Sequence, residues 1–377
     1  MDTIKYAIVL AGGKSTRTYP LTLTKPKPLL KVRDKTIIEH NLDQLKGLVE
    51  EIVIVIGYKG KHIQEFLKDK YNGLKITYIK QKEQLGTGHA LLQVRDKIKG
   101  RFIILNGDDI YSGEDIKECI KYNYCILAAK VSHPENFGVL TLDYNNCLKD
   151  IVEKPSEFIS NLVNTGLYVI DDKIFKKLKQ LTKTERGEFE LTDAVKSIAE
   201  KEDVYCFTST NYWVPVGYPA DILCANELLL KRLKQSIKGV IEEGSKLNGK
   251  FIIYEGTVIE RTVHLNNYVS VGKETTVKGI VTDSSIGNGC FIDEDCEIIN
   301  SIVADNVKIE SDVKIENAVI SDNCVISKGS RLIGKNDNPI VLGENVFIAE
   351  NNSLTDGAVI WPDKKTKKDQ DINSLIK

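Results

Sequence analysis

The chain has 377 residues, and its 52 lysines and arginines nearly balance 53 aspartates and glutamates, for a net charge of −1. That balance leaves no overall field to draw it to nucleic acid or to an anionic membrane, and no apolar run reaches the about 18 residues of a membrane span. The length allows two domains. Eight cysteines without a CxxC pair or a His/Cys metal spacing read as reduced, buried thiols of a cytoplasmic protein.

Met1-Asp2-Thr3 leads directly into an apolar strand, Tyr6 to Leu10, so no secretory leader is expected. The strand runs into Ala11-Gly12-Gly13-Lys14-Ser15-Thr16-Arg17, followed by Pro26-Lys27-Pro28-Leu29-Leu30. Two adjacent glycines let backbone lie close to a bulky ligand and expose N–H groups to an anion. Lys14, Arg17, Lys25 and Lys27 supply positive charge nearby, so the loop suits a triphosphate or a pyrophosphate. It is neither of two common phosphate loops. A P-loop needs a glycine where Ile8 stands, and a dinucleotide fingerprint needs G-x-G-x-x-G rather than adjacent glycines.

Further along, Ile52–Ile56, Ile76–Ile79 and Phe102–Leu105 are short, isoleucine-rich runs of the kind found in buried parallel strands. Helical stretches Thr36–Leu48, Lys59–Lys70 and Thr87–Lys97 separate them. Strand, crossover helix, strand predicts a doubly wound, mostly parallel α/β sheet over residues 1–235. Ligands of such sheets bind beyond the carboxyl ends of the strands, so the Gly12-Gly13 loop and Gly107-Asp108-Asp109 are expected in one cleft. A long helix from Pro219 to about Lys238 is expected to bridge to a second domain, with 236–248 as linker.

That second domain repeats. Ile253, Ile259, Leu265, Val271 and Val277 are spaced by six, as are Ile286, Ile292 and Ile298; Val303, Ile309 and Ile315; Ile320, Ile326 and Leu332; and Leu342, Ile348, Leu354 and Ile360. The middle three sets recur every 17 residues. An aliphatic residue every sixth position marks a β-helix with three short strands per coil, here 249–362. Cys290, Cys296 and Cys324 each follow a repeat isoleucine by four residues and are expected inside. Residues 363–377, with Lys364-Lys365-Thr366-Lys367-Lys368, read as a polar, solvated tail.

Residues Leu10-Ala11-Gly12-Gly13-Lys14-Ser15-Thr16-Arg17-Thr18-Tyr19-Pro20-Leu21-Thr22, then Pro26-Lys27-Pro28-Leu29, resemble the signature of the sugar-nucleotide pyrophosphorylases, L-A-x-G-x-G-T-R-x-x-P-L-T and P-K-P-L. The whole chain resembles the members that carry a left-handed β-helix. Gln81-Lys82-Glu83-Gln84-Leu85-Gly86-Thr87-Gly88-His89-Ala90 resembles the base-reading segment of uridylyl- and thymidylyltransferases. It is closest to that of the N-acetylglucosamine-1-phosphate enzymes. Gly107-Asp108 resembles the metal-binding turn. Phe137-Gly138-Val139, Val152-Glu153-Lys154-Pro155 and Val163-Asn164-Thr165-Gly166 resemble the three segments around the sugar phosphate.

The resemblance implies a nucleotidyltransferase that joins a sugar 1-phosphate, of glucose or N-acetylglucosamine, to UTP or dTTP and releases pyrophosphate. It implies catalytic Arg17, Lys27 and Lys154. Leu10, Ala11, Gly12, Gly13, Gln81, Gln84, Gly86 and Thr87 would bind nucleotide, and Gly138, Glu153 and Asn164 the sugar. Asp108 would bind Mg²⁺. Taken singly, each has a plainer reading: Arg17 or Lys27 as a solvated cation, Asp108 as a helix cap, His89 as a structural residue at a helix start.

Two positions depart from the pattern. Ser15 stands at the second loop glycine, where a Cβ could remove a φ > 0 conformation. Trp213-Val214-Pro215-Val216-Gly217 aligns with the family's W-x-D-x-G, so Pro215 replaces a metal-ligating aspartate, while Asp221 reads as the cap of the bridging helix. The departures leave open a catalytically weak homologue that regulates an active paralogue. Related β-helices transfer acetyl groups through a histidine, but the one histidine after His133 is His264, with no donor motif around it. The β-helix is therefore expected to serve as a scaffold for homo-oligomers.

Overall fold

The computed structural model describes residues 4–184 and 187–377; Met1-Asp2-Thr3, expected to lead into the first strand, lie outside them. The chain forms two compact units that do not follow chain order: residues 1–14 with 37–215, and residues 15–36 with 216–377.

The first unit is built on a mixed sheet. Strands β1 (Tyr6–Ala11), β2 (Glu51–Ile56), β3 (Leu74–Lys80) and β4 (Arg101–Asn106) are parallel, in the order β4-β1-β2-β3. β1 and β2 are wholly buried and β4 is buried between its two ends, while β3 is buried only at Leu74 and Ile76; crossover helices such as α1 (Ile37–Leu45), α2 (Gly60–Leu67) and α3 (Thr87–Leu92) connect the strands and cover them. The helices are shorter than their composition suggested: residues 93–97 are turns rather than a continuation of α3. β5 (Asp109–Tyr111) leaves the sheet at once. Antiparallel strands extend the other side: β6 (Cys125–Lys130), β7 (Gly138–Leu142), β8 (Leu148–Glu153) and β9 (Leu162–Asp171), with β9 pairing β4. A last strand, β10 (Trp213–Pro215), pairs with β5 alone among the described residues.

The second unit contains the left-handed parallel β-helix, a solenoid of about eight turns. Its interior is a set of aliphatic ladders. Along one, Val277, Ile292, Ile309, Ile326 and Ile348 stand directly above one another. Along another run Ile286, Val303, Ile320, Leu342 and Ile360, all buried. The corners turn through left-handed backbone at Asn300, Asn306, Asn317, Asn323 and Asn345, residues that tolerate φ > 0. Cys290, Cys296 and Cys324 are interior, as expected, and their thiols donate to the carbonyls of Ala304, Glu310 and Gly343 on the next coil.

The solenoid is longer than its regular spacing suggested. Ser236–Ile237 already pairs with Ile252–Ile253, so 236–248 is the first coil rather than a linker, and the helix before it, α4 (Pro219–Lys231), stops at Lys231. At the other end Asp371–Ile372 and Leu375–Ile376 continue the ladders. The basic residues sit in that coil, with Lys368 paired to Glu350 at 2.6 Å. Ile372 and Ile376 follow their interior partners Leu354 and Ile360 by 18 and 16 residues instead of 17, which hid them from a strict periodicity.

Candidate active site

The register of the parallel strands fixes one edge of the first unit. Ala11 stands opposite Ile56, Ile56 opposite Lys80, and Leu10 opposite Asn106. The residues that follow each strand therefore emerge side by side. Gln81 N–H donates to Ile56 O at 2.8 Å, Tyr58 N–H to Gly12 O at 3.1 Å, and Gly107 N–H to Leu10 O at 2.8 Å.

Gly12 is required by closeness. A Cβ there would lie 2.8 Å from Gln81 Oε1, and one on Gly57 only 2.5 Å from Gly12 O and 2.8 Å from Gln84 Nε2. The two glutamine amides, Gln81 and Gln84, thus converge on the Gly12 and Gly57 turns. Gln81 is buried. Its Nε2 donates to Gly86 O at 3.3 Å and lies 3.1 Å from His89 Nδ1, while the other ring nitrogen of His89 lies 3.1 Å from Gln93 Nε2. His89, in the first turn of α3, therefore holds the Gln81 amide so that its oxygen is directed toward Gly12. Gly86 is in a left-handed conformation, φ +99°, and a Cβ on it would meet Phe189 O at 2.6 Å. Thr87 Oγ1 accepts from Leu191 N–H at 3.1 Å, which pins the segment from behind.

Asp108 occupies the turn between β4 and β5. Asp109 beside it is buried and accepts from Trp213 Nε1 at 3.3 Å. In the β5–β10 pair, Pro215 stands directly opposite Asp109. The position where the pattern expects a second carboxylate is thus adjacent to the aspartate turn and holds a ring with no ligating atom. β10 is held there by Asp115: its buried carboxylate accepts from Ser209 Oγ at 2.7 Å and from both Thr210 and Asn211. Among the described residues no three His, Cys, Asp or Glu side chains form a metal cage. A single carboxylate at a turn is the donor set for an ion that draws its other ligands from phosphates and water, as Mg²⁺ does.

The three expected sugar residues meet. Gly138 on β7 stands opposite Glu153 on β8, and a Cβ on Gly138 would lie 2.9 Å from Glu153 Oε2 and 3.8 Å from Asn164 Cβ. Asn164 Nδ2 donates to Tyr168 Oη at 2.6 Å, and its Oδ1 accepts from Gly166 N–H at 3.0 Å. Gly166 (φ +81°) lies so close to Asn106, at the end of β4, that a Cβ would come within 2.2 Å of its Nδ2. That contact brings the Asn164–Gly166 segment to the residue preceding Gly107-Asp108. Lys154 is exposed, with φ +47° and its N–H donated to Phe137 O at 2.9 Å. The ring of Phe137 meets Trp213 edge-on at 5.4 Å.

The rest of the signature loop belongs to the second unit. Ser15 takes φ 51°, ψ 54°, so serine keeps the left-handed turn expected of glycine. Its carbonyl accepts from Thr18 Oγ1 and Thr22 Oγ1, both at 2.8 Å. Arg17 is exposed, and its guanidinium stands 5.2 Å over the Tyr218 ring. Beside it Asp221 caps α4, accepting from Gly217 and Tyr218 N–H at 2.7 Å each, as its place at the helix start suggested. Lys27 is 5% exposed, within a short turn Lys27–Leu29. Lys25 corrects an expectation. It does not add to the phosphate-facing charge, because its ammonium is held by Asp322 and by Glu344, the latter at 2.7 Å.

A family model described as "Nucleotidyl transferase" matches residues 6–232, and one described as "GMPPB C-terminal domain" matches 278–376. "Bifunctional protein GlmU" of Methanococcus maripaludis is 41% identical over 256 residues, 67% of this chain and 61% of that protein. The chain thus spans about three fifths of the first curated relatives it matches. The "Low-salt glycan biosynthesis nucleotidyltransferase Agl11" of Haloferax volcanii is 29% identical over 80% of this chain and 93% of its own. Among solved structures, a putative glucose-1-phosphate thymidylyltransferase from Bacillus anthracis, in complex with a sucrose, superposes with a TM-score of 0.55 at 30% identity. It covers 60% of this chain and 94% of that one.

Proposed function

Because the chain belongs to the nucleotidyl transferase family, we propose that it joins a sugar 1-phosphate to UTP or dTTP and releases pyrophosphate, the sugar being glucose or N-acetylglucosamine. The observation that carries this reading is the convergence, on one edge of the first unit's sheet, of Gly12, Gly57, Gln81 and Gln84.

The chemistry asks for charge control. An oxygen of the sugar phosphate attacks the α-phosphorus of the triphosphate, and both partners are anions. Two unit charges about 4 Å apart repel by roughly 4 kcal/mol at an effective dielectric near 20, so positioning and neutralisation dominate. In this reading Arg17 neutralises the departing β/γ-phosphates, Lys27 bridges the α-phosphate and the attacking group, and Lys154 holds the sugar phosphate. Glu153 and Asn164 hydrogen-bond sugar hydroxyls while Gly138 leaves room for the ring. Leu10, Ala11, Gly12 and Gly13 line the nucleoside, with Gly86 and Thr87 completing the base segment.

The Gln81 amide sharpens the base preference. Its nitrogen is engaged with Gly86 and His89, which leaves the oxygen as an acceptor. Uracil and thymine offer an N3–H donor there; cytosine offers an acceptor. Members of the family generally use divalent metal ions. Here Asp108 would hold Mg²⁺, which when bound neutralises phosphate charge.

The test is pyrophosphate release by the purified chain with Mg²⁺, each of four nucleoside triphosphates and a panel of sugar 1-phosphates. Release with UTP or dTTP is expected; none at all, or a preference for CTP, ATP or GTP, would sink the reading. Pro215 opposite Asp109 favours a second reading, a weak homologue that binds nucleotide sugar and controls an active paralogue. A near-silent parent that Pro215→Asp turns into an active enzyme would select it.

A further inference from the structure

The solenoid presents a column of carboxylates. Two residues beyond the interior Val303, Ile320 and Leu342 stand Asp305, Asp322 and Glu344, one per successive coil. The column is built in: Asp322 Oδ1 accepts from Asp305 N–H at 2.9 Å, and Asp305 Oδ1 from Asn288 N–H at 2.7 Å. Against it lie two lysines of the signature loop. Lys31 Nζ bonds both carboxylate oxygens of Asp305 at 2.6 Å. Lys25 is shared between Asp322 and Glu344. These side chains are only 17–27% exposed. Burial alone would lower the Lys25 pKa, yet the two carboxylates outweigh it and raise it.

Apolar contact accompanies the charges. Leu21 and Leu30 of the loop line a crevice with Ile302 and Val319 of the solenoid and Ile222 of α4. Tyr19 meets the solenoid's Trp361 edge-on at 6.3 Å. Arg17 lies between Tyr19 and the loop's start, and Lys27 lies between Lys25 and Lys31. Lys27 therefore sits between two lysines held by the solenoid, and Arg17 two residues before a tyrosine that meets it.

We propose that Asp305, Asp322 and Glu344 are positioning residues: by holding Lys25 and Lys31 they fix the loop that presents Arg17 and Lys27 to the triphosphate. The inference rests on the function proposed above. It gives the solenoid a part in the reaction that needs no histidine and no acetyl donor. An isolated surface ion pair would contribute little, but half-buried pairs with shared hydrogen bonds are worth more.

The test is Asp322→Asn with Glu344→Gln in the full chain. It has two readouts: amide hydrogen exchange over residues 15–36, and steady-state pyrophosphate release. Faster exchange confined to 15–36 is expected, with KM for the triphosphate raised about tenfold, a change of 1.4 kcal/mol, at unchanged thermal midpoint. Glu255→Gln, which neutralises an exposed pair with Lys273 elsewhere on the solenoid, should change neither. Glu344→Gln alone, a milder variant, should give an intermediate effect, and Lys25→Glu with Asp322→Lys should restore part of both. Unchanged exchange would overturn the proposal, as would faster exchange with unaltered KM and kcat. If the parent releases no pyrophosphate, the function reading fails, and the exchange over 15–36 alone then decides whether the column holds the loop.

Discussion

Ser15 shows how much one residue's backbone can decide. A Cβ in the left-handed region is strained by about 1 kcal/mol, which glycine avoids, and Ser15 holds φ 51° because Thr18 and Thr22 both donate to its carbonyl. Ser15→Gly should therefore raise stability by about 0.5–1 kcal/mol, read as a higher thermal midpoint. A lower midpoint would mean that the serine side chain contributes something the backbone does not reveal. At this scale the sequence was informative about residue type and silent about partners. The adjacent glycines mark Gly12, and the resemblance of short segments to those of the sugar-nucleotide pyrophosphorylases points to Gln81, Gly138, Glu153 and Asn164. It could not show that His89 holds the Gln81 amide, nor that Asp109 lies opposite Pro215, because these pairings depend on strand register and rotamer. Lys25 reads as one of four similar cations until its neighbours on distant coils are known.

Among the elements, β2 opens on a charge that the sheet edge must satisfy. Burial would raise the Glu51 carboxyl, but Lys97 at 2.8 Å, Thr77 at 2.6 Å and Lys75 at 3.3 Å bring it from 4.5 down to about 2. A depressed folded-state pKa means that ionised Glu51 stabilises the fold above about pH 4.5, and that this contribution is lost as the pH falls from there toward 2. Glu51→Gln should cost roughly 1–2 kcal/mol at pH 7, and the difference from the parent should close by pH 2; chemical denaturation across that range measures it. Element types were readable from periodicity, their ends less so. Thr87–Lys97 has helical composition throughout, yet the helix stops at Leu92. The helical pattern that starts at Pro219 reads on to Lys238, because nothing local marks Ser236–Ile237 as a strand. Only its pairing with Ile252–Ile253 does.

For the whole molecule, the solenoid's exposed apolar ends predict self-association in solution. Among the described residues Ser236–Ile237 pairs on one side, with Ile252–Ile253, so the first coil presents backbone groups to a partner. Ile237 and Val240 in the first coil are 41% and 61% exposed, and Leu375 in the last is 49% exposed. Light scattering on the eluting protein should give a multiple of 42.2 kDa; a 42.2 kDa species at micromolar concentration would refute self-association. The attachment of the signature loop to the solenoid also bears on biogenesis. Lys25 and Asp322 are 297 residues apart. At a synthesis rate of about 5–20 residues per second, the loop leaves the ribosome roughly 15–60 s before the coil that receives it. The nascent front half must wait with that segment undocked, and the chain acquires its finished architecture only when translation is nearly over.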